Sequence, residues 1–172
     1  HSGCLEQALE EVRLVLTKGD AEKPSTFLKA EMHHLEAACL HDLERGPEAE
    51  LSIRAAVAED PANATYLNTY GVILRKLGRT AQAIRSYQLV IRLQPGFADV
   101  YYNCGNALSE LNRLDEAINH FERCLVNNPN HASAHHNLAN CLRDQKHIDE
   151  ALIHYGLSDE LEHHNPDMHC NW

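Results

Sequence analysis

Two pairs of asparagines recur at one fixed interval along the chain: Asn103 with Asn137, and Asn106 with Asn140. An asparagine side chain carries both a hydrogen-bond donor and an acceptor, which matches the groups of a peptide bond. Asparagines spaced in this way can hold an extended segment by its backbone, whatever its side chains. The alternative is that they form hydrogen bonds between helices of the chain itself. The pattern indicates binding of a peptide or protein, with both roles open for each asparagine.

Histidines are the other residues whose chemistry needs explaining, since the chain contains 13 of them. Zinc requires three or four converging ligands, and neither sequence cluster has the spacing of a known closed site. We interpret the histidines as solvated side chains on helix surfaces, and we predict no metal and no cofactor. The clusters are His131 with His135 and His136, and His163 with His164, His169 and Cys170.

Catalytic motifs are absent from the sequence. It contains no H-E-x-x-H, G-x-S-x-G or phosphate-binding loop, and glycine occurs only eight times. Acidic residues are abundant but spread along the chain, as on a solvated helix surface. We therefore predict that this chain is not an enzyme.

The charge balance restricts the classes of partner. Lys and Arg total 15 against 25 Asp and Glu, for a formal net charge of −10. This balance argues against nucleic acid, which requires a basic surface, and weakly favours basic protein partners. No apolar run approaches the ~20 residues of a membrane span. The six cysteines lack C-x-x-C pairs, and we interpret Cys104 and Cys124 as reduced core residues, which predicts a cytoplasmic location.

A repeat period of about 34 residues organises most of the chain, and Ala98–His131 is its most regular copy. Each copy carries apolar residues at helical spacing in two segments, which predicts a helical hairpin that buries its surface by stacking on its neighbours. Small residues are expected where the paired helices approach most closely, and Gly78 and Asn112 are expected in left-handed turns between them. The small-residue series are Ala37, Gly71, Gly105 and Ala139, and Ala49, Ala83, Ala117 and Ala151; Pro61, Pro95 and Pro129 end the copies.

These residues resemble the pattern of the tetratricopeptide repeat (TPR) family, Trp-x2-Leu-Gly-x2-Tyr, then Ala-x3-Phe, then Pro. The regular copy reads Tyr101-x2-Cys104-Gly105-x2-Leu108, followed by Ala117-x3-Phe121 and Pro129. The resemblance implies an all-α, right-handed solenoid of stacked antiparallel helix pairs. It also implies that the first helix of each pair lines a concave surface.

The register of the repeats predicts the organisation of the chain. Ser25 or Thr26 is expected to cap the first helix of the first complete repeat. Asn63 begins a possible glycosylation sequon, but we interpret it as a helix cap. The predicted segments are a half-repeat helix and linker at 1–24, a divergent repeat with its turn at Gly46-Pro47 at 25–63, regular repeats at 64–97 and 98–131, a fourth with an extended second helix at 132–166, and the start of a truncated further repeat at 167–172. Apolar helix faces at the two ends are expected to promote self-association.

The resemblance implies a non-catalytic scaffold that binds a peptide or partner surface in the concave groove. The residues predicted to contact it are Asn68, Arg75, Tyr102, Asn103, Asn106, His136, Asn137, Asn140 and Arg143. The clamp that TPR proteins use for chaperone tails does not fit, because Tyr102 stands where its first lysine should be. The repeats are also similar to those of O-GlcNAc transferases and bacterial TPR scaffolds. An alternative function is therefore a substrate-recognition or dimerisation arm of a larger enzyme such as a glycosyltransferase.

Overall fold

A computed structural model describes residues 2–17 and 25–163 of the 172-residue chain. These residues form nine α-helices and no strand. The linker predicted at 18–24 and the further repeat predicted at 167–172 lie outside the described residues. The helices are α1 (Ser2–Thr17), α2 (Thr26–Asp42), α3 (Gly46–Glu59), α4 (Ala64–Lys76), α5 (Thr80–Leu93), α6 (Ala98–Glu110), α7 (Leu114–Asn127), α8 (Ala132–Asp144) and α9 (Ile148–His163).

The helices belong to two compact units, His1–Leu93 and Gln94–Trp172. In the first unit α2 pairs with α3 and α4 with α5, and the two hairpins stack through α3 and α4. In the second unit α6 pairs with α7 and α8 with α9, and these hairpins stack through α7 and α8. Such stacking of neighbouring helix pairs confirms the predicted all-α solenoid.

A left-handed residue ends the first helix of every hairpin. The φ angles are 61° at Glu44, 75° at Gly78, 56° at Asn112 and 68° at Lys146, and each of these positions lies one repeat period after the one before it. The prediction is confirmed for Gly78 and Asn112. In the first hairpin it is wrong in detail, because Glu44 makes the left-handed turn while Gly46 already begins α3 and Pro47 occupies its first turn. Pro47 fits there because the first turn of a helix does not use its N–H.

Small residues lie where the paired helices meet, as predicted. A Cβ added at Gly105 would lie 2.7 Å from Cε1 of Phe121, and a Cβ at Gly71 would overlap the ring of Tyr87. Both aromatic side chains are fully buried. The glycines therefore set the distance between the helices of these two hairpins.

Two predicted helix caps are present. The Ser25 hydroxyl oxygen accepts a hydrogen bond from the Leu28 N–H at 3.2 Å and caps α2. The Asn63 side-chain oxygen accepts from the N–H groups of Thr65 and Tyr66 and caps α4. Such bonds satisfy N–H groups that have no partner within the helix.

Cys104 and Cys124 are buried in the core of the second unit as free thiols. Burial raises the pKa of Cys104 to about 12 and that of Cys124 to about 11. These thiols are therefore protonated at neutral pH and contribute as small apolar side chains.

Candidate functional site

The predicted binding residues of the second unit lie on its two first helices, α6 and α8. Most are half-buried, whereas His136 and Arg143 are exposed. Each helix packs one face into the core, as α6 does with Val100, Cys104 and Leu108. The predicted binding residues lie outside that buried face. We refer to the surface formed by Tyr102, Asn103, Asn106, His136, Asn137, Asn140 and Arg143 as the α6/α8 groove.

Asn137 lies at the centre of the α6/α8 groove. Its amide nitrogen donates to Oδ1 of Asn106 at 2.7 Å, and to the hydroxyl of Tyr102 at 3.4 Å. The asparagines therefore interact diagonally between helices, and Asn106 pairs with Asn137 instead of standing in an independent row with Asn140. This bond fixes the orientation of both amides in the groove.

One end of the α6/α8 groove is an aromatic and acidic cluster. The ring of Tyr102 lies against the ring of His131, with centroids 4.6 Å apart. His131 caps α8, since its Nδ1 accepts from the Ala134 N–H, and its Nε2 lies 3.8 Å from Oδ1 of Asp99. Sequence reasoning did not include His131 in the groove, although its place before α8 is a helix-cap position.

At the other end of the groove, the second helix of the hairpin contributes a side chain. The Tyr155 hydroxyl of α9 donates to Oδ1 of Asn140 at 2.7 Å and accepts from Nη1 of Arg143 at 3.3 Å. His136 meets the Tyr155 ring edge-on at 5.5 Å, and Arg143 also pairs with Asp144 at 2.8 Å. Tyr155 was absent from the predicted site because residues at its register position face the core in the other hairpins.

The first unit has a comparable surface on α2 and α4, where Asn68 and Arg75 are half-buried. His34 Nε2 lies 3.0 Å from the Thr69 hydroxyl, and this pair has the same spacing of 35 residues as Tyr102 and Asn137. The Tyr66 hydroxyl donates to Glu31 at 2.6 Å. Burial, assisted by Glu31, raises the pKa of Tyr66 to about 12, so this hydroxyl remains a donor.

Three models of one repeat family match the sequence. The tetratricopeptide repeat models match residues 98–131 and 120–153, and a TPR repeat model matches residues 71–111. These matches fall on α4–α9, whose hairpins and turns recur with a single period. The chain is a tetratricopeptide repeat protein.

Solved structures of other TPR proteins share the fold. A crystal structure of MamA superposes with a TM-score of 0.79 at 22% identity, covering 94% of this chain and 90% of that one. YrrB, described as a TPR protein with an unusual peptide-binding site, gives 0.71 at 21% identity, with coverage of 95% and 80%. The first TPR of Spaghetti (RPAP3), bound to the HSP90 peptide SRMEEVD, gives 0.67 at 22% identity, with coverage of 70% and 95%. No curated protein matches the sequence.

The histidines of the first cluster, at 131, 135 and 136, do not converge on a common point. His131 contacts the Ala134 N–H, His135 contacts His154, and His136 contacts Tyr155. Within residues 2–17 and 25–163, no group of three or more His, Cys, Asp or Glu side chains can hold a metal ion. Of the second cluster, only His163 belongs to the described part of the TPR array. The helices described are also too short or too polar to cross a membrane.

Proposed function

We propose that this TPR protein is a non-catalytic scaffold that binds an extended peptide or partner segment in the α6/α8 groove. The observation that carries the proposal is the Asn106–Asn137 pair, held at 2.7 Å on a half-buried surface between two rigid helices. Two amides fixed in this way present donors and acceptors at set positions. A ligand then orders fewer protein groups when it binds.

The remaining hydrogen-bonding capacity of the two amides suits a peptide backbone. Each side chain has two N–H donors and an oxygen with two lone pairs. The Asn137 amide donates to Asn106 and, at 3.4 Å, to Tyr102, which leaves both N–H groups of Asn106, one lone pair of its oxygen and the oxygen of Asn137 for a ligand. A ligand carbonyl and a ligand N–H can occupy other positions of the same two groups. Binding through these amides tolerates many ligand sequences because every residue offers the same backbone atoms.

Side chains at the two ends of the groove would supply selectivity. The Tyr102 ring and the Asp99 carboxylate, whose side chain is 63% exposed, both lie against His131, and an aromatic ring with a carboxylate suits a basic ligand side chain. At the other end, His136 and Arg143 surround Tyr155. The net charge of −10 favours the approach of a basic ligand.

A random peptide display library, selected against the whole chain, tests the proposal. A selected peptide should lose about 5- to 150-fold in affinity when Asn137→Ala is introduced, because removal of a groove hydrogen bond costs about 1–3 kcal/mol. Asn119→Ala is the matched control, since Asn119 lies exposed on α7 outside the groove.

The variant Asn103→Ala provides a second test on the neighbouring turn of α6. Circular dichroism should show unchanged helicity for all three variants, because each side chain lies at a helix surface. Selected peptides that bind wild type and Asn137→Ala within about twofold would contradict a role for the amides. Selected peptides that bind a surface outside the α6/α8 groove would contradict the proposed location of the site.

A further inference from the structure

His135 and His154 form a direct contact inside the α8/α9 hairpin. Their Nδ1 atoms lie 2.9 Å apart, and the rings stack with centroids 5.2 Å apart. His135 is only 8% exposed, and its Nε2 lies 3.1 Å from the carbonyl oxygen of Pro129. This pair joins α8, α9 and the end of the preceding connection, and the proposed binding role does not use it.

The surrounding atoms determine where the protons lie at neutral pH. A carbonyl oxygen only accepts hydrogen bonds, so Nε2 of His135 must carry a hydrogen to donate to Pro129. In neutral His135 the Nδ1 atom is then an acceptor. The 2.9 Å contact therefore requires that Nδ1 of His154 carries the hydrogen and donates it to His135.

The pair accommodates one additional proton but not two. With one proton added, a single hydrogen still lies between the two Nδ1 atoms, and the bond becomes charge-assisted. With two added, both Nδ1 atoms carry hydrogens that face each other across 2.9 Å, and both rings are cationic. In the unfolded chain each histidine takes up its proton independently, near pH 6.5. Acid therefore favours states in which the rings separate.

Charged groups around the His135–His154 pair reduce the destabilisation of this contact by acid without removing it. Glu122 of α7 and Glu150 of α9 act on His154 and favour its protonated form, whereas burial and His135 oppose it. Burial is the largest of these effects, and the pKa of His154 is lowered. Glu160 of α9 lines the same cavity of about 310 Å³ as His135, together with Pro129 and Leu157.

The same register positions in the other hairpins show that the fold does not need two histidines. The second hairpin has Leu67 and Ser86 there, and the Ser86 hydroxyl donates to the Leu67 carbonyl at 2.8 Å. The third has Tyr101 and His120, with ring centroids 6.0 Å apart. Both alternatives pack within the same helix pair. The fourth hairpin alone, among these three, holds its helices together with two imidazole rings in contact.

We propose that His135 and His154 form an acid-sensitive latch that holds α9 against α8. Tyr155 directly follows His154 and donates to Asn140 in the α6/α8 groove. Opening of the latch therefore withdraws a side chain from the groove and lowers its affinity for a ligand at acidic pH. This consequence for binding rests on the proposed function, whereas the latch itself does not.

Nitrogen-15 NMR of the imidazole groups in the whole chain tests the latch without any ligand. At pH 8, His135 should be the Nε2–H tautomer and His154 the Nδ1–H tautomer. On acidification the pair should take up one proton while α9 stays packed, and the second only as α9 separates. Two independent titrations near pH 6.5 with the α9 resonances unchanged would overturn the proposal.

Hydrogen exchange of the α9 amides provides a second test with matched variants. Wild-type protection factors over α9 should fall about tenfold or more between pH 7.5 and 5.5, since one pKa unit corresponds to a tenfold change. The double variant His135→Leu with His154→Ser copies the pair found at 67 and 86, and should lose most of this pH dependence. His147→Gln is the control, because His147 is an exposed histidine beside the start of α9.

The outcomes separate the latch from the proposed function. If His147→Gln abolishes the pH dependence as fully as the double variant does, or if wild-type protection is constant with pH, the latch is wrong. If the double variant fails to fold, the wild-type NMR titration still decides. Selected peptides that bind the groove equally at pH 7.5 and 5.5, while α9 protection changes, would leave the latch intact and remove its link to binding.

Discussion

Replacement of Gly105 by alanine should destabilise the second unit, although alanine is the better helix former. The added Cβ would lie 2.7–2.9 Å from three ring atoms of Phe121, which is fully buried. Overpacking of this kind typically costs about 1–3 kcal/mol. The gain in helix propensity is only about 1 kcal/mol, so it cancels this cost only at the lower end of the range.

Gly156→Ala is the matched control in the same unit. Gly156 lies within α9, and a Cβ added there would meet nothing within 4 Å. The same substitution should therefore stabilise the protein by about 0.5–1 kcal/mol. Gly105→Ala should be less stable than Gly156→Ala by about 1–3 kcal/mol, because the propensity gain is common to both variants and only one adds a clash.

Urea denaturation followed by circular dichroism measures this difference, and thermal melting should separate the variants by about 2–12 °C. The comparison lies within one unit, so differences in the stability of the other unit do not enter it. Equal stabilisation by the two substitutions would refute the reasoning, since it would mean that the Phe121 ring moves without cost. Peptides selected against the α6/α8 groove should also bind Gly105→Ala more weakly, because Asn106 is the next residue on α6.

Other consequences are open to simple measurements. Asn63→Ala should lower the free energy of unfolding by about 1 kcal/mol through loss of the α4 cap, as followed in a urea titration. Burial lowers the pKa of both His34 and His41. The stability that these residues contribute is therefore complete above about pH 6.5 and is lost as the pH falls towards their folded-state pKa. Melting temperatures should fall accordingly from about pH 7.5 to 5.5. Leu152 and Ile153 of α9 are each 62% exposed, so we expect concentration-dependent self-association in light scattering that Leu152→Glu weakens, and a strict monomer at high concentration would contradict it.

The repeat period was sufficient to predict the helix pairs, their stacking and the close approach at Gly71 and Gly105. It was less informative about turns whose residue type gives no signal. Glu44 and Lys146 adopt left-handed conformations because the repeat geometry imposes them, and neither is glycine or asparagine. Their place in the repeat, one period before Gly78 and one period after Asn112, is the signal that identifies them.

The groove shows a second limit of reasoning by register. Positions one period apart are equivalent, and this equivalence suggested rows of asparagines along the array. The observed bond joins Asn106 to Asn137, which are 31 residues apart and occupy different register positions. Contacts of this kind depend on the offset between stacked first helices and on side-chain length, and neither quantity is contained in the period.

The size of the small residue at each helix crossing accounts for the presence of Tyr155 in the groove. Gly71 and Gly105 leave room for the rings of Tyr87 and Phe121, which are fully buried. In the first hairpin the small residue is Ala37, and it is accompanied by Ile53, which is also fully buried. An alanine at this position is therefore compatible with a buried aliphatic side chain.

The fourth hairpin combines alanine with an aromatic residue. Ala139 places a Cβ at the position equivalent to Gly105, where an added Cβ would overlap the Phe121 ring. We therefore expect the Tyr155 ring to lie less deeply in its hairpin than the Phe121 ring. Tyr155 is accordingly half-buried, and its hydroxyl reaches Asn140 on the surface of α8. We therefore attribute the shift of this aromatic side chain from the core of the hairpin to the groove to one methyl group. In the groove its position depends on how α9 packs against α8.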